Sequence, residues 1–173
     1  MCDLKVLDLG TGTGFLGIAA STSEKVGHVV FADINRDAIR LAKANVAGNR
    51  AVVRSRCEFF HSNIFSSVRY LRKKFDLIIF NAPYLRSEEV PDLEFSEMWE
   101  GGKEGIELSL RFLKESAKYL NSNGKIILVA SSLSNIKRLR REISGMGFAV
   151  IREKKAHFFF EDIIAMLISA RDV

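Results

Sequence analysis

Three glycines at alternate positions, Gly10-Thr11-Gly12-Thr13-Gly14, restrict this chain more than any other feature. They stand between residues 5–9 (KVLDL), which read as a short apolar strand, and residues 15–21 (FLGIAAS), which read as a helix. Glycines at such a junction let the backbone turn sharply and approach a ligand or a packed neighbour without a Cβ clash.

The turn opens an alternation of strands and helices. Residues 28–31 read as a second strand ending at Asp33, and Asn35 stands where it can cap a helix carrying Ile39, Ala42 and Val46 on one face. Residues 57–61 and 75–80 read as the third and fourth strands, with a long loop from Asn81 to about Gly102 behind them. Ile106, Leu110, Leu113, Ala117 and Leu120 recur at helical spacing, which predicts one helix through all five. Residues 125–130 (KIILVA) read as the fifth strand. Ile136, Leu139, Ile143 and Met146 mark another helix, capped by Ser134 and stopped near Gly145 and Gly147. Residues 148–156 and 160–170 are two strands joined too closely for a crossover, so they must pair antiparallel. The expectation is an α/β, Rossmann-like fold over residues 1–173 as one domain. Its sheet is mostly parallel and seven-stranded, with helices on both faces and an antiparallel C-terminal strand.

Composition removes several classes. A chain of 173 residues, 47% hydrophobic and 27% charged, suits one compact domain. Its apolar runs are too short to span a bilayer and no signal peptide precedes the first strand, which points to the cytoplasm. Cys2, Cys57, His28, His61 and His157 have neither disulfide nor metal-site spacing. A net charge of +5 admits an RNA, ribosomal or acidic protein partner without requiring one.

The glycine turn suggests a cofactor across the carboxyl ends of the strands, and Asp33 can accept two hydrogen bonds from ribose hydroxyls, most simply those of an adenosyl group. Gly12, Gly14 and Gly17 also fit the G-x-G-x-x-G spacing of a dinucleotide fold, and such a turn also occurs for packing alone. On these residues a methyltransferase, a nucleotide-dependent oxidoreductase and a structural turn all remain open.

Asn81-Ala82-Pro83-Tyr84, after the fourth strand, separates them. It resembles the Asn/Asp-Pro-Pro-Tyr/Phe signature of amino-methyltransferases, and it lies where open sheets bind ligands. An amide or aromatic amino nitrogen has a delocalised lone pair and is a poor nucleophile. Two acceptors, the Asn81 side-chain oxygen and the Ala82 carbonyl, can each take one N–H and aim that lone pair at a methyl group. Pro83 stiffens the loop and Tyr84 can stack on a flat target. Catalysis would then be mainly orientation.

Met98-Trp99-Glu100-Gly101-Gly102-Lys103-Glu104-Gly105 is similar to the Trp-x-Gly-Gly-x-x-Gly segment of the HemK family, and the resemblance covers nearly the whole chain. It is nearest to the archaeal and eukaryotic branch of that family, class I S-adenosylmethionine-dependent enzymes that methylate the glutamine amide in the Gly-Gly-Gln loop of translation release factors. The resemblance implies S-adenosyl-L-methionine as cofactor. Asp8, Gly10, Thr11, Gly12 and Gly14 would face its methionine part, Asp33 its ribose and Asn63 its adenine, with Ile34 and Ile64 also among the cofactor-binding residues. Asn81, Pro83 and Tyr84 would be catalytic, with Asn81, Ala82 and Tyr84 on the substrate and Asn81 also beside the cofactor. Asn63 replaces the family's usual aspartate, and Ala82 the first proline.

The chain begins almost at the first strand, so the segment that covers the cofactor in family members is expected to be absent or supplied by a partner. The branch also implies a small zinc-binding activator at the edge of the third strand, residues 57–60. A DNA or RNA amino-methyltransferase and a non-catalytic cofactor-fold scaffold remain as alternatives. The basic clusters, Arg69, Arg72, Lys73, Lys74 and Lys137, Arg138, Arg140, Arg141, read as solvated faces rather than a nucleic-acid surface. Phe158-Phe159-Phe160, in the last strand turn, reads as core.

Overall fold

The computed structural model describes residues 3–50, 56–71, 73–83 and 102–171. In chain order the elements are β1 (Leu4–Leu9), α1 (Phe15–Ser21), β2 (Val26–Asp33), α2 (Arg36–Gly48), β3 (Cys57–His61), β4 (Phe75–Asn81), α3 (Glu107–Ser116), β5 (Leu120–Ser131), α4 (Ile136–Gly145), β6 (Phe148–Phe158) and β7 (Glu161–Ala170). The strands form one seven-stranded sheet in the order β3-β2-β1-β4-β5-β7-β6, mostly parallel with an antiparallel C-terminal pair, as the sequence led one to expect. Two compact units divide the chain, one of residues 1–80 with 118–125 and the other of residues 81–117 with 126–173.

In the first unit β1 lies between β2 and β4, parallel to both, and β3 is the outer strand beside β2. Val6-Leu7, Val29-Val30-Phe31-Ala32 and Ile78-Ile79-Phe80 are buried as continuous apolar runs, the pattern of strands covered on both faces. Helix α2 buries Ala38, Ile39, Ala42 and Val46. Its cap is Asn35, whose side chain accepts the Asp37 N–H at 2.8 Å. On β3, Phe59 stacks on Phe31 with ring centroids 4.9 Å apart, and Lys43 stands 5.7 Å from the Phe59 centroid. Asp76 at the start of β4 accepts the Lys5 N–H at 2.8 Å and the Asn121 amide at 2.6 Å.

That last bond explains one correction. The segment Asn121-Ser122-Asn123-Gly124 looks like a turn, yet β5 starts at Leu120 and runs through it. Gly124 permits this because a Cβ there would meet the Phe75 carbonyl oxygen at 2.9 Å. The helix expected to reach Leu120 ends at Ser116 instead, and residues Ala117–Tyr119 tighten into a 3-10 turn. Leu120 is buried as a strand residue, while Ala117 is exposed.

In the second unit α4 buries Leu139 and Ile143. Its cap is Asn135 rather than Ser134: the Asn135 side chain accepts the Arg138 N–H at 3.0 Å. Strands β6 and β7 pair antiparallel from Phe148↔Ala170 to Phe158↔Glu161, which leaves Phe159 and Phe160 as a two-residue turn. Here the core expectation is wrong. Phe158, Phe159 and Phe160 are 55%, 90% and 94% exposed. The reason is length: ten residues of helix reach about 15 Å, whereas eleven residues of strand reach about 37 Å. The hairpin outruns its cover.

Candidate active site

The glycine turn leaves β1 with Gly10, Gly12 and Gly14 at φ 62, 53 and 82, all in the left-handed region that a Cβ disfavours. Two strand-end carboxylates hold it. Asp8, only 1% exposed, accepts the Thr11 hydroxyl at 2.6 Å and the Gly17 N–H at 2.8 Å, both on Oδ2. Asp33 accepts the Gly12 N–H on Oδ2 and the Asn35 N–H on Oδ1, each at 2.8 Å. From the helical side, the Asn45 amide donates to the Thr13 carbonyl at 2.8 Å.

Burial pushes the Asp8 carboxyl up to about 6; the Thr11 and Gly17 bonds pull against this and the nearby Asp33 charge adds to it. Asp33 keeps spare acceptor capacity, because each oxygen has so far taken one donor and a carboxylate oxygen can take two. A vicinal diol is the complementary ligand. Beside it Ile34 projects into solvent, and the Ile34 carbonyl oxygen lies 2.7 Å from His61 Nε2.

The loop behind β3 is built with similar care. Ser62, buried, donates its N–H to the Asp33 carbonyl at 2.7 Å and its hydroxyl to the Ile64 carbonyl at 2.7 Å. The Ser67 N–H donates back to Ser62 Oγ at 3.0 Å. These bonds hold Ile64, which is buried, at φ 48 and leave Asn63 exposed, its N–H donating to Ser66 Oγ at 3.0 Å. Asp8, Gly10, Thr11, Gly12, Gly14, Asp33, Ile34, Asn63 and Ile64 thus belong to one unit, joined by Ser62, a residue that sequence reasoning missed.

Gly17 adds a packing requirement. A Cβ there would stand 2.4 Å from the Phe31 ring and 2.9 Å from Asp8 Oδ2. Gly17 therefore lets α1 lie on β2 and presents its N–H to Asp8.

In the other unit Asn81, the last residue of β4, is exposed, followed by buried Ala82 and half-buried Pro83. Tyr84 and the segment 98–101 lie outside the described residues. Where description resumes, Glu107 accepts the N–H groups of Glu104 and Ile106 at 3.2 and 3.3 Å, and the Glu104 carbonyl accepts the Asn135 N–H at 3.0 Å. Arg138 pairs with Glu104 at 3.1 Å. The returning end of the long loop is thereby fastened to the start of α4.

The pattern of the methyltransferase small domain matches residues 2–158. The chain belongs to that family. It is an S-adenosylmethionine-dependent methyltransferase, and solved proteins of the same fold hold the product form of that cofactor. The HemK resemblance agrees with its relatives. The "Putative protein N5-glutamine methyltransferase" of Methanocaldococcus jannaschii is 32% identical over 163 residues, 93% of this chain and 79% of that one. The release factor glutamine methyltransferase of Clostridium acetobutylicum is 29% identical over 163 residues, 87% of this chain and 54% of its own. Among structures, the E. cuniculi Mtq2–Trm112 complex, responsible for methylation of the eRF1 translation termination factor, superposes with TM-score 0.63. It is 19% identical and covers 99% of this chain and 87% of that one, a likeness of fold. The donor set fits the cofactor: a half-used carboxylate for the ribose diol, an exposed aliphatic beside it, and glycine backbone at the turn.

Proposed function

We propose that this methyltransferase acts on the side-chain amide of the glutamine in the Gly-Gly-Gln loop of a translation release factor. The observation that carries the reading is Asn81, an exposed amide closing β4 and followed by Ala82-Pro83. The Asn81 side-chain oxygen takes one amide N–H of the acceptor and the Ala82 carbonyl takes the other. Held so, the nitrogen presents its lone pair. Pro83 fixes the direction of the Ala82 carbonyl, and Tyr84 stacks on the flat amide. S-adenosylmethionine, when bound, supplies a methyl group on a positively charged sulfur. As the new N–C bond forms and the S–C bond breaks, the acceptor nitrogen becomes acidic and its proton leaves to solvent. Asp33 with Ile34 and the loop at Asn63 and Ile64 hold the adenosyl end, and the turn from Asp8 to Gly14 the methionine end.

The relatives named above support a glutamine acceptor. Charge pairing supports protein over nucleic acid: Lys73 pairs with Glu58 at 2.7 Å, Arg138 with Glu104, Arg140 with Glu153 and Arg141 with Glu142 at 3.4 Å. These are four of the eight cations in the two clusters that would otherwise grip phosphates, and Arg72 lies outside the described residues. The outer strand β3 is the proposed seat of a small zinc-binding activator, in keeping with the two-protein E. cuniculi complex. No helix among the described residues is long and apolar enough to cross a membrane. A cytoplasmic site, where translation factors work, completes the proposal.

The test offers labelled S-adenosylmethionine with a release factor, its Gly-Gly-Gln to Gly-Gly-Ala variant, tRNA and duplex DNA. Label on the protein that disappears with the variant supports the reading. Label on nucleic acid alone replaces it with an amino-methyltransferase of bases.

A further inference from the structure

Phe158, Phe159 and Phe160 form the largest exposed apolar feature among the described residues, and nothing in the fold uses them. Three further observations bear on their purpose. Phe159 is held at φ 50, a backbone conformation costly to any residue with a Cβ and one that hairpins usually assign to glycine or asparagine. A phenylalanine there gives the turn a backbone cost that glycine would avoid. The tip end of the hairpin is also fastened to one place. The Ser132 N–H donates to the Asp162 carbonyl at 2.9 Å, the Asp162 N–H donates to Ser132 Oγ at 2.8 Å, and Ser131 Oγ bonds the Glu161 carboxylate. Ser131 ends β5, so the tip stands at the carboxyl rim of that strand, the rim at which open α/β sheets receive their ligands.

The charge around the tip selects the kind of occupant. His157 pairs with Asp162 at 2.9 Å, Glu161 lies directly across from Phe158, and Lys154 and Lys155 follow farther down β6. A nucleic-acid strand stacking on the three rings would bring phosphates against Glu161 and Asp162, where a backbone-binding surface places cations. An aromatic centre with a rim of both signs is instead the anatomy of a protein-binding hot spot.

We infer that the Phe158–Phe160 tip is a docking element for the methyl-acceptor protein, inserting its rings into an apolar pocket with a mixed polar rim away from the methylated residue. The inference rests on the proposed protein substrate and adds a second contact that a short peptide cannot make. It predicts that the enzyme distinguishes intact acceptor from peptide through this hairpin.

The experiment compares wild-type enzyme with F159G, F160S and the double variant on intact release factor and on a peptide spanning its Gly-Gly-Gln loop. Binding of intact factor to the enzyme loaded with S-adenosylhomocysteine is measured in parallel. The expected result is a KM for intact factor raised about ten-fold or more by the double variant. Its kcat stays within about two-fold and both peptide constants are unchanged. F159G also raises the thermal midpoint or leaves it level, since glycine relieves the backbone at this turn, whereas a merely structural phenylalanine would lower it. Equal losses on peptide and protein, or no loss of affinity for the intact factor, overturn the inference. So does a loss confined to binding of a single-stranded RNA oligonucleotide. Absence of turnover on either acceptor by the wild-type enzyme defeats the substrate assignment instead, and the parallel binding measurement still decides the docking role.

Discussion

Asp33 Oδ2 accepts the backbone N–H of Gly12 at 2.8 Å, so the carboxylate at the end of β2 fixes the crest of the glycine turn that follows β1. Its other oxygen holds the Asn35 N–H at the entry to α2. One side chain therefore sets the turn, starts the next helix and retains lone pairs for the ribose that the proposed site would hold. Turn geometry and cofactor affinity should fall together when it is removed.

For Asp33→Ala, the loss of two charge-assisted bonds should cost about 3 kcal/mol of stability. Affinity for S-adenosylhomocysteine should drop by about 100-fold or more. Asp33→Asn keeps one oxygen acceptor and should fall between the two. Denaturant midpoints and titration calorimetry check this; a variant that binds like the wild type would remove Asp33 from the site.

Gly17→Ala tests the packing beneath the turn. The new Cβ would stand 2.4 Å from the Phe31 ring, a separation no packed pair sustains, so α1 must shift or Phe31 must leave its rotamer. A loss of about 2–3 kcal/mol is expected. Phe31→Leu in the same chain should recover part of it, since the ring is the obstacle. Additive losses in the double variant would show that the clash is not with Phe31.

Asp8 gives a pH dependence of defined sign. The folded chain keeps the Asp8 proton to about pH 6, while the unfolded chain releases it in the ordinary carboxylate range. Between those values the folded state binds more protons, so this contribution to stability is complete below about pH 4 and is lost as pH rises through about 6. A displacement of roughly two pH units corresponds to about 3 kcal/mol. Other carboxylates slope the opposite way, so the quantity to measure is wild type minus Asp8→Asn. That difference should fall from pH 4 to pH 7; a level difference would mean that Asp8 is charged throughout.

What the sequence made legible follows from how local each cause is. The left-handed glycines, the Asn35 cap and the continuous apolar strands depend on one residue or a short run, and each reads directly from the chain. Asp8 and Asp33 were visible as carboxylates at strand ends. Their division into a buried brace and a half-used acceptor was not, because the donors they meet come from Thr11 and Gly17 for one and from Gly12 and Asn35 for the other. Ser62 had no signal at all, being one serine among several after β3. The helix drawn through Leu120 and the core assignment of Phe158 to Phe160 went wrong for a shared reason. Apolar spacing reports that a side chain is apolar; whether a helix or a strand carries it, as at Leu120, and whether anything covers it, as at Phe159, depend on elements distant in sequence.

Asn81→Ala bears on the chemistry itself. Asn81 closes β4 and is exposed, so truncating it removes no core contact and the fold should keep its stability within about 0.5 kcal/mol. In the proposed reaction its oxygen orients an amide whose lone pair is otherwise delocalised, and loss of one orienting acceptor should lower kcat by a factor of about 100–1,000. Affinity for S-adenosylhomocysteine should change little, because the ribose and methionine contacts assigned to Asp33 and the glycine turn are untouched. Asn81→Asp retains an acceptor but adds a charge, and should recover part of the lost rate. Rate loss with intact cofactor binding places Asn81 on the acceptor; a collapse of cofactor binding with the same substitution would move this residue to the cofactor and leave the amide to be held by other groups.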